Sequence, residues 1–172
     1  MAKFRLLVVV GMLVFGSTPF ETHARSQDSV AKQLVGMWRM VSWTQRLADG
    51  TTRQCPSVSY IIYTDTSRMC YVLMTPNRPK WKSGTAPTPD EAVSGMGSNT
   101  EFGAYCSTVE VHAKEGFVLH HVEIERVPNN VGTTRKRWFT FDGRNRMSLR
   151  IDPPELPTGV VENTLMWERV QK

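Results

Sequence analysis

Along most of the chain apolar and polar positions alternate with a period of two, the spacing of half-buried strands whose successive side chains face opposite ways. Trp38, Met40 and Ser42 alternate with Arg39, Val41 and Trp43 until Asp49-Gly50 marks a turn. Val58 to Tyr63 is rich in β-branched and aromatic residues, Asp65-Thr66-Ser67 turns the chain, and Met69 to Met74 returns as a second hairpin arm. This turn is expected to pair Tyr63 with Arg68, hence Ile61 with Cys70. From Phe102 the pattern resumes, with Ala104 to His112 and Phe117 to Arg126 flanking Lys114-Glu115-Gly116. After a loop at Pro128-Asn129-Asn130 and Gly132, Arg135 to Phe141 and Arg146 to Ile151 flank Asp142-Gly143-Arg144-Asn145. A Pro-rich loop, Asp152 to Gly159, leads to the last strand, Val160 to Val170. Eight strands joined mainly by short loops predict an all-β fold. One short helix is expected after the third strand: Thr88 reads as its N-cap, Pro89 as its first turn and Glu91 as the acidic residue three positions on, while Gly95 and Gly97 limit it.

Two strings at opposite ends, Gly36-Met37-Trp38 and Trp167-Glu168-Arg169, fit the seam of a closed antiparallel barrel. Closure makes the first and last strands neighbours. The Trp38 indole is expected to plug the narrow end, with the Arg169 guanidinium across its face, a contact worth ~0.5–2 kcal/mol. Parity then turns Trp38, Met40 and Ser42 inward, together with Asn163, Leu165, Trp167 and Arg169. Gly36, Trp38 and Arg169 are the expected closure residues.

The start of the chain reads differently. Lys3 and Arg5 precede an apolar run, Leu6 to Phe15, too short to span a bilayer. Gly16, Ser17 and Pro19 break the run, and Thr22-His23-Ala24 offers a small-x-small cleavage site. Residues 1–24 are therefore expected to be a secretory signal peptide, and the mature protein secreted or periplasmic, with no stable membrane insertion after cleavage; a short membrane anchor is the alternative. Residues 25–33 read as a flexible lead-in and 34–171 as one barrel domain.

The 172 residues carry a formal net charge of +5, mildly basic. The charges are scattered apart from Arg135-Lys136-Arg137, which reads as a solvated strand face. Without a basic stripe, no nucleic-acid partner is expected. Three cysteines, Cys55, Cys70 and Cys106, allow at most one bridge. Cys55 stands about six positions out of register from Cys70, ~20 Å at the usual strand rise, beyond the reach of a disulfide. Cys70–Cys106 is the geometrically easy bridge; three separate thiols are the alternative. The chain has no zinc-type cysteine spacing, nucleophile elbow or phosphate loop, so no metal and no cofactor are expected.

Leu34-Val35-Gly36-Met37-Trp38-Arg39, Tyr60-Ile61-Ile62-Tyr63, Arg68-Met69, His120-His121-Val122-Glu123, Pro128-Asn129, Gly132, Arg137 with Phe139, and Leu165-Met166-Trp167-Glu168-Arg169 occur in this order and spacing. In these strings the chain resembles the bacterial and fungal lipocalin-like domain family, a calycin-type barrel, from roughly Leu34 to Arg169. The resemblance implies an eight-stranded antiparallel barrel with an interior cavity. It implies no single activity, since the fold hosts binders and enzymes alike. Many members carry a longer, apolar-periodic helix before the fourth strand, where this chain has the glycine-rich Ser94-Gly95-Met96-Gly97-Ser98-Asn99.

His120-His121-Val122-Glu123 is the best candidate site. Val118, His120, Val122 and Ile124 share one strand face, apolar with a single histidine, as a cavity with one polar anchor requires; a core histidine satisfied by a neighbour is the alternative. Phe117, Leu119, His121, Glu123 and Glu125 share the other face, where His121 with Glu123 is either an acid/base pair or a solvated edge. Tyr60, Met69, Tyr71, Met74, Tyr105, Phe139 and Met147 either line a pocket or fill the core. The expected ligand contacts are Tyr60, Val118, His120, Val122, Ile124 and Arg137, the last as partner for a carboxylate. The expected function is binding of a small hydrophobic ligand in the barrel. One alternative is an isomerase or cyclase moving protons on a lipid- or polyketide-like molecule through His120 or His121 and Glu123. The other is a filled barrel acting as a protein-interaction module. Oligomeric state is not legible.

Overall fold

The β-rich pattern folds as read into antiparallel strands. The computed structural model describes residues 26–78, 80–82, 88–90 and 102–171. A helix, α1 (Gln27–Leu34), precedes β1 (Gly36–Leu47), β2 (Thr52–Gln54), β3 (Val58–Tyr63), β4 (Arg68–Met74), β5 (Phe102–His112), β6 (Phe117–Glu125), β7 (Thr134–Asp142), β8 (Arg146–Ile151) and β9 (Val160–Arg169). Neighbours pair antiparallel in the order β2-β1-β3-β4-β5-β6-β7-β8-β9, and β1 also pairs β9. Because β2 pairs only with the far end of β1 (Thr44 opposite Gln54, Arg46 opposite Thr52), the closed barrel has eight strands. The expected signal peptide lies outside the described residues.

The helix described over its full length lies before the first strand, where the sequence pattern predicts none. Ser26 caps α1, its hydroxyl accepting from the Ser29 N–H at 3.3 Å, and Val30 and Leu34, four apart on one face, are buried. So the polar lead-in is ordered in part: its eight residues are mostly polar and do not announce a helix, yet Val30 and Leu34 cover the barrel end. Of the helix expected after the third strand, Pro89 and Asp90 are described and helical, and 91–97 lie outside the described residues.

At that end Trp38 is fully buried and its Nε1 donates to the Leu34 carbonyl at 2.8 Å. Trp38 is the direct β-partner of Arg169, whose guanidinium lies 4.1 Å above the indole. Arg169 Nη1 and Nη2 donate to the carbonyls of Val35 and Gln33, both at 2.6 Å, and Nε to that of Arg144 at 3.2 Å. The Val35 and Gln33 carbonyls are ones that the end of α1 leaves unpaired, and a cation there also suits the helix dipole. Gly36 makes room. Its φ is +133°, and a Cβ built there would stand 2.5 Å from Arg169 Nη1.

Register departs from the simple expectation at four places, one of them a shift between Arg46 and Leu47 that leaves Val161 of β9 without a partner in β1. Tyr63 pairs Met69, not Arg68, and Ile62 rather than Ile61 faces Cys70. Ser67 adopts φ +54°, and the Thr64 N–H donates to the Arg68 carbonyl at 2.8 Å, so the turn consumes one residue more than expected. Both members of the resulting Tyr63–Met69 pair are buried. A bulge between Met40 and Ser42 leaves Val41 without a partner in β9. A second lets Cys106 face Ile124 while Ser107 faces Val122, leaving Glu123 as the extra residue of β6. Each bulge reverses the in–out order of everything beyond it.

Cys70 and Cys106 are direct partners across β4 and β5 and form a disulfide, while Cys55 is free. Two measurements test this frame. Gly36→Ala is expected to cost at least ~2 kcal/mol in urea unfolding, from left-handed backbone strain plus displacement of Arg169; a change below ~0.5 kcal/mol would show that the guanidinium does not depend on this gap. Thiol titration of the unfolded, unreduced protein is expected to find only Cys55, and reduction to cost ~3–4 kcal/mol for the sequence separation of 36 that the bridge spans.

Candidate functional site

At the end away from α1 the barrel opens into a cavity of about 490 Å³. Trp43, Ile61, Leu149, Leu165 and Trp167 supply apolar wall, and Gln45, Tyr71, Tyr105, His120, Glu125, Arg135, Arg137, Glu155 and Asn163 supply polar groups. The two bulges decide much of this list. Beyond Val41, Trp43 and Gln45 line the cavity, not Ser42, and Trp43 Nε1 donates to Asn163 Oδ1. Arg53 of β2 donates to Gln45 Oε1 at the rim. Beyond Glu123, Ile124 turns outward at 67% exposure, and Glu125 turns inward, its side chain 3% exposed.

Glu125 forms an ion pair with Arg135 at 2.9 Å, and burial raises its pKa against the pull of that arginine. The Arg135 guanidinium also lies 4.6 Å above the Tyr105 ring. Arg137 is buried. Its Nη1 donates to both carboxylate oxygens of Glu155, each at 2.8 Å, and to the Lys136 carbonyl at 2.7 Å. Its Nε and Nη2 make no hydrogen bond with any described residue. Glu155 is itself held by the Lys136 backbone N–H at 2.9 Å. The basic triplet is therefore not one solvated face. Arg135 and Arg137 turn inward, and Lys136 turns out, its Nζ 4.4 and 4.1 Å from the rings of Phe117 and Trp138.

His120 has no exposed surface. Its Nε2 lies 3.1 Å from the Tyr63 hydroxyl and its Nδ1 3.0 Å from the Tyr105 hydroxyl. Burial, reinforced by Arg137 and Arg135, holds its pKa well below the usual histidine range, so the ring is neutral. Burial also raises the pKa of Tyr63, Tyr71 and Tyr105, keeping all three phenols protonated.

The remaining expected site residues separate. Val118 and Val122 are buried in the core but do not line the cavity. Tyr60 lies on the outer face of β3, because Ser59, Ile61 and Tyr63 turn inward. The string Tyr-Ile-Ile-Tyr is equally apolar in both parities, which hid the choice. His121 does not pair with Glu123. It lies on the outer side, 3.2 Å from Glu110 and 3.0 Å from the Thr134 hydroxyl, while Glu123 pairs with Arg68. Met69 and Met147 are core, and Met74 is exposed. Trp43, Gln45, Glu125, Arg135 and Glu155 were not anticipated as cavity residues. Arg135 follows from alternation, since it shares its strand face with Arg137; the other four depend on the bulges or on how the 152–159 loop folds back.

A closed barrel with one plugged end and one open, lined end defines a cup-shaped container class. The chain belongs to the lipocalin-like domain family, whose model matches residues 35–170. Comparison with curated proteins finds no match. Among solved structures the chain is similar to a redesigned beta barrel, with 13% identity, 82% of this chain and 95% of the other covered, and a TM-score of 0.41, a likeness that carries no argument. Among the described residues no helix is long and apolar enough to cross a membrane.

The buried neutral His120 links stability to pH. The unfolded chain takes up a proton near pH 6.5 that the folded state refuses, so its contribution is complete above that value and is lost as pH falls below it. Stability of the wild type is expected to fall more steeply than that of His120→Gln between about pH 6.5 and 5.5, by up to ~1.4 kcal/mol per pH unit. Denaturant titrations at several pH values check this; parallel curves would mean that His120 takes its proton in the folded state.

Proposed function

We propose that this is an exported binding protein whose barrel holds a small, mainly apolar molecule with one oxygen-bearing polar end. The observation that carries the reading is the open cavity of about 490 Å³ with buried Arg137 in its wall, two of whose nitrogens have no hydrogen-bond partner among the described residues. A cavity of that size suits a ligand of a few hundred daltons, and a few placed polar groups orient a ligand among apolar walls. Two arginines in the wall are matched by two glutamates, so the cavity has no strong net charge and an anion gains little from long-range attraction. Recognition at Arg137 is by short-range hydrogen bonding.

The enzyme alternative gains no support from these groups. Both nitrogens of His120 are engaged, His121 and Glu123 lie outside the cavity, and Glu125 and Glu155 are each held by an arginine. The filled-barrel alternative is opposed by the cavity itself. Export rests on the leader-like residues 1–24 and fits the disulfide, which persists in oxidising compartments.

Protein purified from its own host is expected to carry a co-purified small molecule in native mass spectrometry. The apo form is expected to bind N-phenyl-1-naphthylamine, quenching Trp43 and Trp167. Leu149→Trp, which fills the cavity, is expected to weaken dye binding by about tenfold or more, since overpacking excludes the ligand. Absence of both adduct and dye binding would overturn the reading. N-terminal sequencing of exported material is expected to begin at or near Arg25; a retained Met1 would overturn the export half alone.

A further inference from the structure

The chain Tyr63–His120–Tyr105 joins three buried groups through two hydrogen bonds, but only its last two members line the cavity. A neutral imidazole has one N–H and one bare nitrogen, so such a chain runs in one direction only. The buried end sets that direction. The Tyr63 hydroxyl lies on a residue 3% exposed and has no hydrogen-bond partner but His120 among the described residues. The buried Ser107 hydroxyl makes no hydrogen bond, so it does not take the Tyr63 proton either. A buried O–H left without an acceptor is costly, so Tyr63 donates to Nε2. The single ring proton is then on Nδ1, which donates to the Tyr105 oxygen. Tyr105 accepts from His120, and its own O–H remains undonated at the cavity wall. Each bond polarises the next, strengthening that last donor.

We propose that Tyr63 and His120 lock the Tyr105 hydroxyl as a fixed hydrogen-bond donor into the cavity, so that the site selects ligands presenting a carbonyl-type acceptor oxygen and rejects ligands presenting an N–H or O–H donor at that position. A ligand offering only a donor there leaves the Tyr105 O–H without an acceptor, unless that O–H turns to donate to Nδ1. His120 would then have to carry its proton on Nε2, and the Tyr63 O–H would be stranded without an acceptor. Rejection is therefore enforced from Tyr63, a residue outside the cavity wall. The unpartnered side of Arg137 supplies further donors in the same wall, while the Glu125 carboxylate there is ion-paired with Arg135. His120 and Tyr63 are positioning residues; Tyr105 is the one that touches ligand. This inference rests on the ligand-binding reading of the cavity and names its ligand class.

Three tricyclic probes of nearly equal shape test it: 9-fluorenone (acceptor only), fluorene (neither) and carbazole (donor only), each competed against N-phenyl-1-naphthylamine on the mature protein. Fluorenone is expected to bind about tenfold more tightly than fluorene and carbazole more weakly than fluorene, the discrimination that unpaired buried polar groups impose. Tyr105→Phe is expected to abolish the ketone preference while fluorene binding persists. Independently of any variant, ¹⁵N NMR of the ligand-free protein is expected to show His120 protonated at Nδ1 and bare at Nε2. Dye binding without a ketone preference, or an Nε2–H tautomer, would overturn the inference and leave the cavity reading standing. Failure of the dye and all three probes to bind would instead overturn the cavity reading, and this inference with it.

Discussion

The Arg169 guanidinium is the interaction on which the rest of the barrel depends. It stacks on the buried Trp38 indole, ties down two carbonyls at the end of α1 and one in the β7–β8 turn, and occupies the space that glycine leaves at position 36. Three distant segments thus converge on one planar cation: the lead-in, the β7–β8 hairpin and the last strand. A planar group with five donors suits the task as a lysine would not, because it can stack through its face while donating through its edge. Once this end is plugged, any cavity must open at the other. The interior is therefore graded, from an apolar floor of Trp38, Ile61, Met69 and Met147, through the tyrosine–histidine layer, to the ion-paired rim.

The rim exists because two strands break their own alternation. In an unbroken β6, Ile124 would face the interior and Glu125 the solvent, and the Arg135 side chain would face inward without its carboxylate. The extra residue at Glu123 exchanges them. The bulge in β1 likewise brings Trp43 and Gln45 inward to meet Asn163 and Arg53. Both bulges lie between the plugged floor and the mouth, so the lower barrel keeps an apolar parity and the upper barrel gains a polar one. Bulges re-aim side chains near functional sites in this way, and here they separate a core from a cavity within the same strands.

These same features mark what could be read from the residues and what could not. The eight strands, the closure of Trp38 on Arg169, the Cys70–Cys106 geometry and the inward face of Val118, His120 and Val122 follow from period-two alternation, which is a local property. The bulges and the five-residue turn at Thr64 to Arg68 do not, because an inserted residue is visible only against the partner strand it fails to match. Hence the expected site is right at His120 for inward facing and wrong at Ile124, four residues later, across one bulge. The helix α1 escaped for a different reason. It is only eight residues long, too short to be stable alone, and its stability comes from Val30 and Leu34 covering the barrel end and from Arg169 capping its carbonyls.

The charge arrangement narrows what the cavity can do. An isolated pair of buried arginines would attract any small anion and hold it through a strong Coulomb term. Here Glu125 and Glu155 already satisfy most of that demand, and each was brought in by a feature that alternation alone does not supply, a bulge in one case and the turn at Pro153–Glu155 in the other. Neutralising the arginines removes the general attraction but leaves their direction, since one side of Arg137 has no hydrogen-bond partner among the described residues. The neutral histidine acts in the same sense: charged, it would repel nothing anionic and select nothing; neutral, it has a defined donor side and a defined acceptor side. On the proposed ligand-binding reading, a site assembled from cancelled charges and oriented dipoles would discriminate by geometry and hydrogen-bond polarity rather than by net charge.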